Sequence, residues 1–175
     1  MAIQAIWARM LRAVRGELSL FEEVEHDPGA TAEAIVVVAV GAISVGLGSL
    51  LLLVLARPAN YIPSLLASVV STLVVWAVFA GVVYLIGTRL FHATATWEEV
   101  LRTLGYAYSP LVIGIAGIIP FLGGLIVLAA LLWSFYLAFV GIRAALDLDG
   151  GRTVATIILS IIPAAIISAL LARLY

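Results

Sequence analysis

The chain contains no cysteine and no lysine, and only 11% of its 175 residues are charged. Without cysteine there is no disulfide, no thiolate metal ligand and no cysteine nucleophile. A net charge of −1 leaves no basic footprint for nucleic acid. All nine basic residues are arginine, which points to a GC-rich genome and to no particular activity. The two histidines, His26 and His92, are far apart. No serine stands in a nucleophile elbow, and no glycine-rich phosphate loop follows a strand. Neither an enzyme nor a bound cofactor is expected.

What the chain has instead is apolar surface. Hydrophobic residues make up 65% of it, against about 45–50% in ordinary soluble domains. Five apolar runs cover residues 34–56, 62–86, 104–119, 122–145 and 153–174. At about 1.5 Å per residue, ~22 helical residues reach ~33 Å, enough for a hydrocarbon core of ~30 Å. The third run is short and must borrow its first turns from the segment before it. The expected fold is an all-α membrane protein: a cytoplasmic N-terminal segment, residues 1–33, then a five-helix transmembrane domain, residues 34–175.

Residues 1–18 put Ile3, Ile6, Trp7, Met10, Leu11, Val14 and Leu18 on one helical stripe, with Arg9, Arg12 and Arg15 outside it. The pattern predicts an interfacial helix on an anionic leaflet; the competing expectation is a helix docked on protein. Ser19-Leu20-Phe21-Glu22 has the form of a capping box opening a short acidic helix that stops before Pro28. Glu22 and His26, at i and i+4, could face one cation. A solvated acidic turn pairing with arginines accounts for the same residues. Thr96-Trp97-Glu98-Glu99 is a second capping box.

With five spans, Arg9, Arg12, Arg15, Arg89, Arg102, Arg143 and Arg152 share one side, leaving Arg57 and Arg173 on the other. That bias places the N-terminus in the cytoplasm and the C-terminus outside. No ionisable residue stands near mid-depth, which disfavours proton or ion pathways. Thr156, Ser160, Ala164, Ser168 and Ala172 repeat every four residues, a stripe that admits a close neighbour in the chain or in a second copy. Pro163 should bend that span. Tyr106 and Tyr108 are expected at the headgroup level with wet hydroxyls. A sharper reading makes Gly105, Tyr106 and Pro110 a hinge or a lipid-headgroup notch. Trp76 and Trp133 are expected in the core. Asp147-Leu148-Asp149-Gly150-Gly151 is expected to be a tight turn, since an EF-hand needs a Glu where Thr156 stands.

Several of these motifs occur in a familiar order. Gly105-Tyr106 with Pro110, the Pro120-Phe121-Leu122-Gly123-Gly124 turn, Trp133-Ser134 and Gly141 before Arg143 resemble the YIP (Ypt-interacting protein) family of polytopic membrane proteins. The acidic stretch from Phe21 to Thr31 is similar to the segment before the first span in prokaryotic members. The resemblance implies a prokaryotic cell-membrane protein with five spans and a membrane-organising or adaptor role. Eukaryotic members are associated with small GTPases and vesicle trafficking and carry a DLxGP-like motif. Here that motif is missing, Asp27-Pro28-Gly29 being at best a remnant, so a GTPase partner is not carried over. The partners expected are the lipid bilayer and other membrane proteins or a second copy. The competing classes are an accessory subunit of a larger membrane complex and a small transporter or channel for a neutral solute.

Overall fold

The computed structural model describes residues 3–49 and 61–171. Two short helices, α1 (Ile3–Val14) and α2 (Leu18–His26), precede α3 (Ala30–Gly48) and α4 (Tyr61–Leu90). Then come α5 (Trp97–Ala107), a 3-10 segment (Ser109–Ile118), α6 (Gly123–Leu146) and α7 (Gly150–Leu171). No strand occurs among the described residues.

Among the described residues four helices, α3, α4, α6 and α7, are long and apolar enough to cross a membrane. The expected count of five is corrected at the third run. Its first residues complete α5, and the rest wind as a 3-10 helix of 10 residues. Pro110 explains the change, because it has no N–H to return to the Tyr106 carbonyl. The Ser109 hydroxyl donates to that carbonyl instead, at 2.6 Å. The Leu111 amide then bonds to Tyr108 in the tighter register.

This composite element runs beside α3 in the same direction. Ala34 lies against Gly105, Gly41 against Tyr108 and Leu111, and Val45 against Gly114. A Cβ at Gly105 would stand 2.5 Å from that of Ala34 and 3.2 Å from Trp76. Only glycine permits that approach. In lipid, where apolar burial does not draw helices together, such backbone proximity is what dispersion needs.

The capping box at Thr96 is present. The Thr96 hydroxyl accepts from the Glu99 amide at 3.3 Å, and the Glu99 carboxylate accepts from the Thr96 amide at 2.8 Å. The one expected at Ser19 is not. Helix α2 begins two residues earlier, with Glu17 at its N-cap and no side-chain cap. The Glu17 side chain bonds Arg12 instead, at 3.0 Å.

Two contiguous apolar clusters sit at the end of the bundle where α3 begins and α4 and α6 finish. One joins Ala34, Trp76, Val83, Leu104, Ile142, Leu146 and Ile157. The other joins Met10, Phe21, Val24, Val37, Tyr106, Leu137 and Val140, so α2 packs in one core with α3, α5 and α6. Trp76 is in the core, while Trp133 is 42% exposed and donates to the Val14 carbonyl at 2.8 Å. The expectation of a core Trp133 is therefore corrected; its indole N–H has a fixed partner at the edge. Helix α7 continues through Pro163, which is exposed. At the α6–α7 turn Asp147 is left-handed (φ 50°), and the Asp149 carboxylate accepts from the Arg152 amide at 3.0 Å.

Candidate functional site: a charged joint at the packed end

The chemistry that sequence left scattered collects around Glu33, in the first turn of α3. Its side chain is 5% exposed and accepts from the Arg9 guanidinium at 2.9 Å. The Tyr106 hydroxyl donates to the same oxygen. Arg9 also reaches Asp27 and Glu23, each at 3.0 Å or less. Arg12 bonds Glu17 at 3.0 Å and Glu23 at 2.6 Å. One basic face of α1 is thereby fastened across α2 and the head of α3.

Helical spacing explains why these groups converge. Arg9 and Arg12 stand at i and i+3, and Glu23 and Asp27 at i and i+4, so each pair projects from one face. Burial by itself lowers the affinity of Arg9 for its proton. Its hydrogen bonds to Glu33, Asp27 and Glu23 outweigh that and hold it above the ordinary arginine value. The bond from Arg12 holds the Glu23 carboxyl below the usual carboxylate range, and Arg9 does the same for Asp27.

A second arginine closes the joint from α5. Arg102 is 6% exposed; its guanidinium donates to the carbonyls of Val24, at 2.9 Å, and Glu25, and lies 3.4 Å from the Thr31 hydroxyl. A helix ends with carbonyls that have no partner within it; Arg102 bonds two at the end of α2, that of Val24 shared with the Asp27 amide at 3.3 Å. Glu25 is buried alongside, and desolvation pushes its carboxyl up despite His26 at 3.3 Å.

Several expectations meet this geometry. Tyr106 is fully buried with its hydroxyl on Glu33, so a wet headgroup tyrosine is the wrong picture; Tyr108 is half-buried. Arg9 and Arg12 face their own chain rather than lipid headgroups, and the outward side of α1 carries Ile3, Trp7 and Leu11. The acidic turn is not freely solvated. His26 turns its Nδ1 to the Glu22 carbonyl at 2.9 Å, and no group of three or more His, Asp or Glu able to hold a metal occurs among the described residues. Gly105 and Pro110 are buried beside Tyr106, and Gly123 is buried in the hairpin turn, whereas Pro120 and Gly124 are exposed. On α7, Thr156, Ser160 and Ala164 are buried, Ser168 is half-buried, and Ile158 and Leu170 are exposed. Ala172 lies outside the described residues.

Sequence reading passed over Glu33 and Arg102. A signal existed for the first: Glu33 is a lone carboxylate at the head of an apolar span, downstream of an arginine-bearing amphipathic helix. Arg102 gave none, because its partners are main-chain carbonyls 77 and 78 residues away.

No curated protein and no solved structure matches the chain. A family model does: the Yip1 domain covers residues 18–172, from the first residue of α2 to the end of the last helix. With four apolar helices of spanning length, the chain is a multi-pass membrane protein that belongs to the Yip1 domain family.

Proposed function

We propose that this protein is a non-enzymatic membrane-organising or adaptor protein of the prokaryotic cell membrane. The observation that carries the reading is the segregation of chemistry. Charged side chains gather in a joint that fastens helices to one another, with arginine and carboxylate neutralised in pairs. The apolar half offers hydroxyls already bonded to their own helix, such as Ser68 to Leu65, Thr72 to Ser68 and Ser160 to Thr156. A joint of that kind positions helices, and the buried Glu25 carboxyl stands beside it outside the arginine pairs.

The composite element runs beside α3, so the chain direction alternates through α3, α4, the composite, α6 and α7. That alternation supports a cytoplasmic N-terminus and an outside C-terminus, in line with the arginine distribution. Single cysteines at Thr94 and Asp149 should resist an impermeant thiol reagent in intact cells; labelling of both would reverse the orientation.

Purification at native expression tests the role. An adaptor should recover a varying set of membrane partners. A fixed stoichiometric set would favour an accessory subunit, and solute uptake by reconstituted vesicles would replace both readings with a transporter.

A further inference from the structure

Helix α1 lies outside the stretch matched by the family, which starts at residue 18, yet it fills a groove made by that stretch. The buried cluster that Met10 and Ala13 join there is apolar and includes Leu20, Val24, Val37 and Tyr106. Beside it stand the carboxylates Glu23, Asp27 and Glu33, with Glu17 of the connection to α2. Of the twelve residues of α1, only Met10 and Ala13 are buried. To that small apolar footprint α1 adds the ionic contacts of Arg9 and Arg12 and the bond from Trp133 to the Val14 carbonyl. The connection to α2 passes through Gly16 at φ 71°, a conformation that glycine adopts without strain.

We propose that this groove is a docking site for an arginine-bearing amphipathic helix supplied by a partner protein, and that α1 is its tethered competitor. The charge pattern selects the occupant. Glu33 is almost fully buried, and a buried carboxylate without a cation is costly, so the groove requires a basic guest. The guest must also be slim at the contact, with a flexible or small residue beside each arginine, as Met10 follows Arg9 and Ala13 follows Arg12. Exchange of guests would couple partner binding to release of α1, whose outward face of Ile3, Trp7 and Leu11 is free to enter the bilayer surface. This deepens the adaptor reading and rests on it for its purpose, while the groove itself can be examined alone.

The probe is a labelled peptide of residues 1–16, added to the full-length chain in nanodiscs of neutral lipid. Arg9→Glu with Arg12→Glu weakens the tethered occupant, and this chain should bind the peptide roughly tenfold or more tighter than wild type does. Adding Glu33→Gln and Asp27→Asn should abolish the gain, and a peptide carrying the two Arg→Glu changes should not bind. If the charge-reversed chain does not fold, Arg9→Gln with Arg12→Gln serves in its place. Equal binding to wild type, variant and empty nanodiscs would show α1 to be a lipid anchor only and overturn the proposal, as would no binding at all. Failure to co-purify any partner would instead remove the adaptor reading and leave this binding intact.

Discussion

The two ends of the bundle are built by different rules. Where α3 begins and α6 ends, helices touch through glycine, side chains interlock and arginines tie elements 24 to 78 residues apart. Toward the other end Gly48 still meets Gly114 and Gly117 backbone to backbone, but cavities open between the helices. One of about 340 Å³ is lined by Ala42, Ser49, Ser68 and Thr72, and another of about 350 Å³ by Val75, Phe79, Ala164 and Ser168. Ile62, Leu66, Leu125, Ile162 and Ile166 are all exposed there. In water that half would collapse or aggregate. In lipid, exposed leucine costs nothing, and rigidity must come from close packing and polar bonds. The end where α3 begins has both, and the other end has glycine contacts without the arginine pairs.

The sharpest way to break this contrast is to spoil the approach at Gly105. Gly105→Leu should prevent α3 from meeting α5, costing about 3 kcal/mol or more, since backbone as well as side chains must shift. Gly124→Ala, in open space at the far end, should change stability by less than about 0.5 kcal/mol. Unfolding in detergent by denaturant separates the two, and similar losses would mean that the close approach at Gly105 contributes nothing to stability. Next in size is Arg102→Met, which strands the Glu25 carbonyl and leaves that of Val24 with only the Asp27 amide, at 3.3 Å. With about 1–3 kcal/mol for an unsatisfied group, a loss near ~2 kcal/mol is expected, with faster amide exchange in residues 18–26.

The stripe on α7 sharpens the comparison within one helix. Ala164 is 5% exposed and Ile158 is 60% exposed. Ala164 borders the cavity of about 350 Å³ and has room for a larger side chain, whereas Ser160→Leu, fully buried on the same stripe, should cost about 1–3 kcal/mol and Ile158→Leu less than about 0.5. Equal tolerance in the same assay would show that the stripe packs against nothing.

The smallest effect is pH-dependent and confined to α1. Glu23 and Asp27 titrate below their unfolded values because Arg12 and Arg9 stabilise the ionised forms. Their contribution is complete above the unfolded carboxylate range, near pH ~4, and is lost as pH falls through the depressed folded values. Both carboxylates are more than a third exposed, so the effect is modest and weakened by salt. Amide exchange in residues 3–14 should rise below pH ~4 while that of α4 and α6 stays unchanged; simultaneous loss everywhere would place the charges in the global fold.

Local rules were legible in the sequence where the partners were local. The Thr96–Glu99 capping box, the short acidic helix before Pro28 and the long apolar helices all depend on neighbours within a few residues. The third run misled because hydropathy counts residues and does not register that Pro110 withholds one amide, which shifts the winding. Tyr106 misled for another reason: an interfacial tyrosine and a buried one bonded to a carboxylate look alike until Glu33, 73 residues earlier, is brought beside it. The outward apolar side of α1, Ile3, Trp7 and Leu11, was legible as a stripe; a helical wheel could not say that Arg9 and Arg12 beside it meet carboxylates of the same chain and not headgroups.

The bond lengths along the chain also set an order of assembly. Arg9 can reach Glu33 across 24 residues, but the Tyr106 hydroxyl arrives 73 residues after Glu33, and Trp133 meets Val14 only across 119. At about 5–20 residues per second during synthesis, Glu33 waits several seconds at the membrane edge before Tyr106 is made. Arg9 is the only one of its partners in α1 or α5 already present, so the nascent chain carries its own counter-ion for a carboxylate that must later be buried.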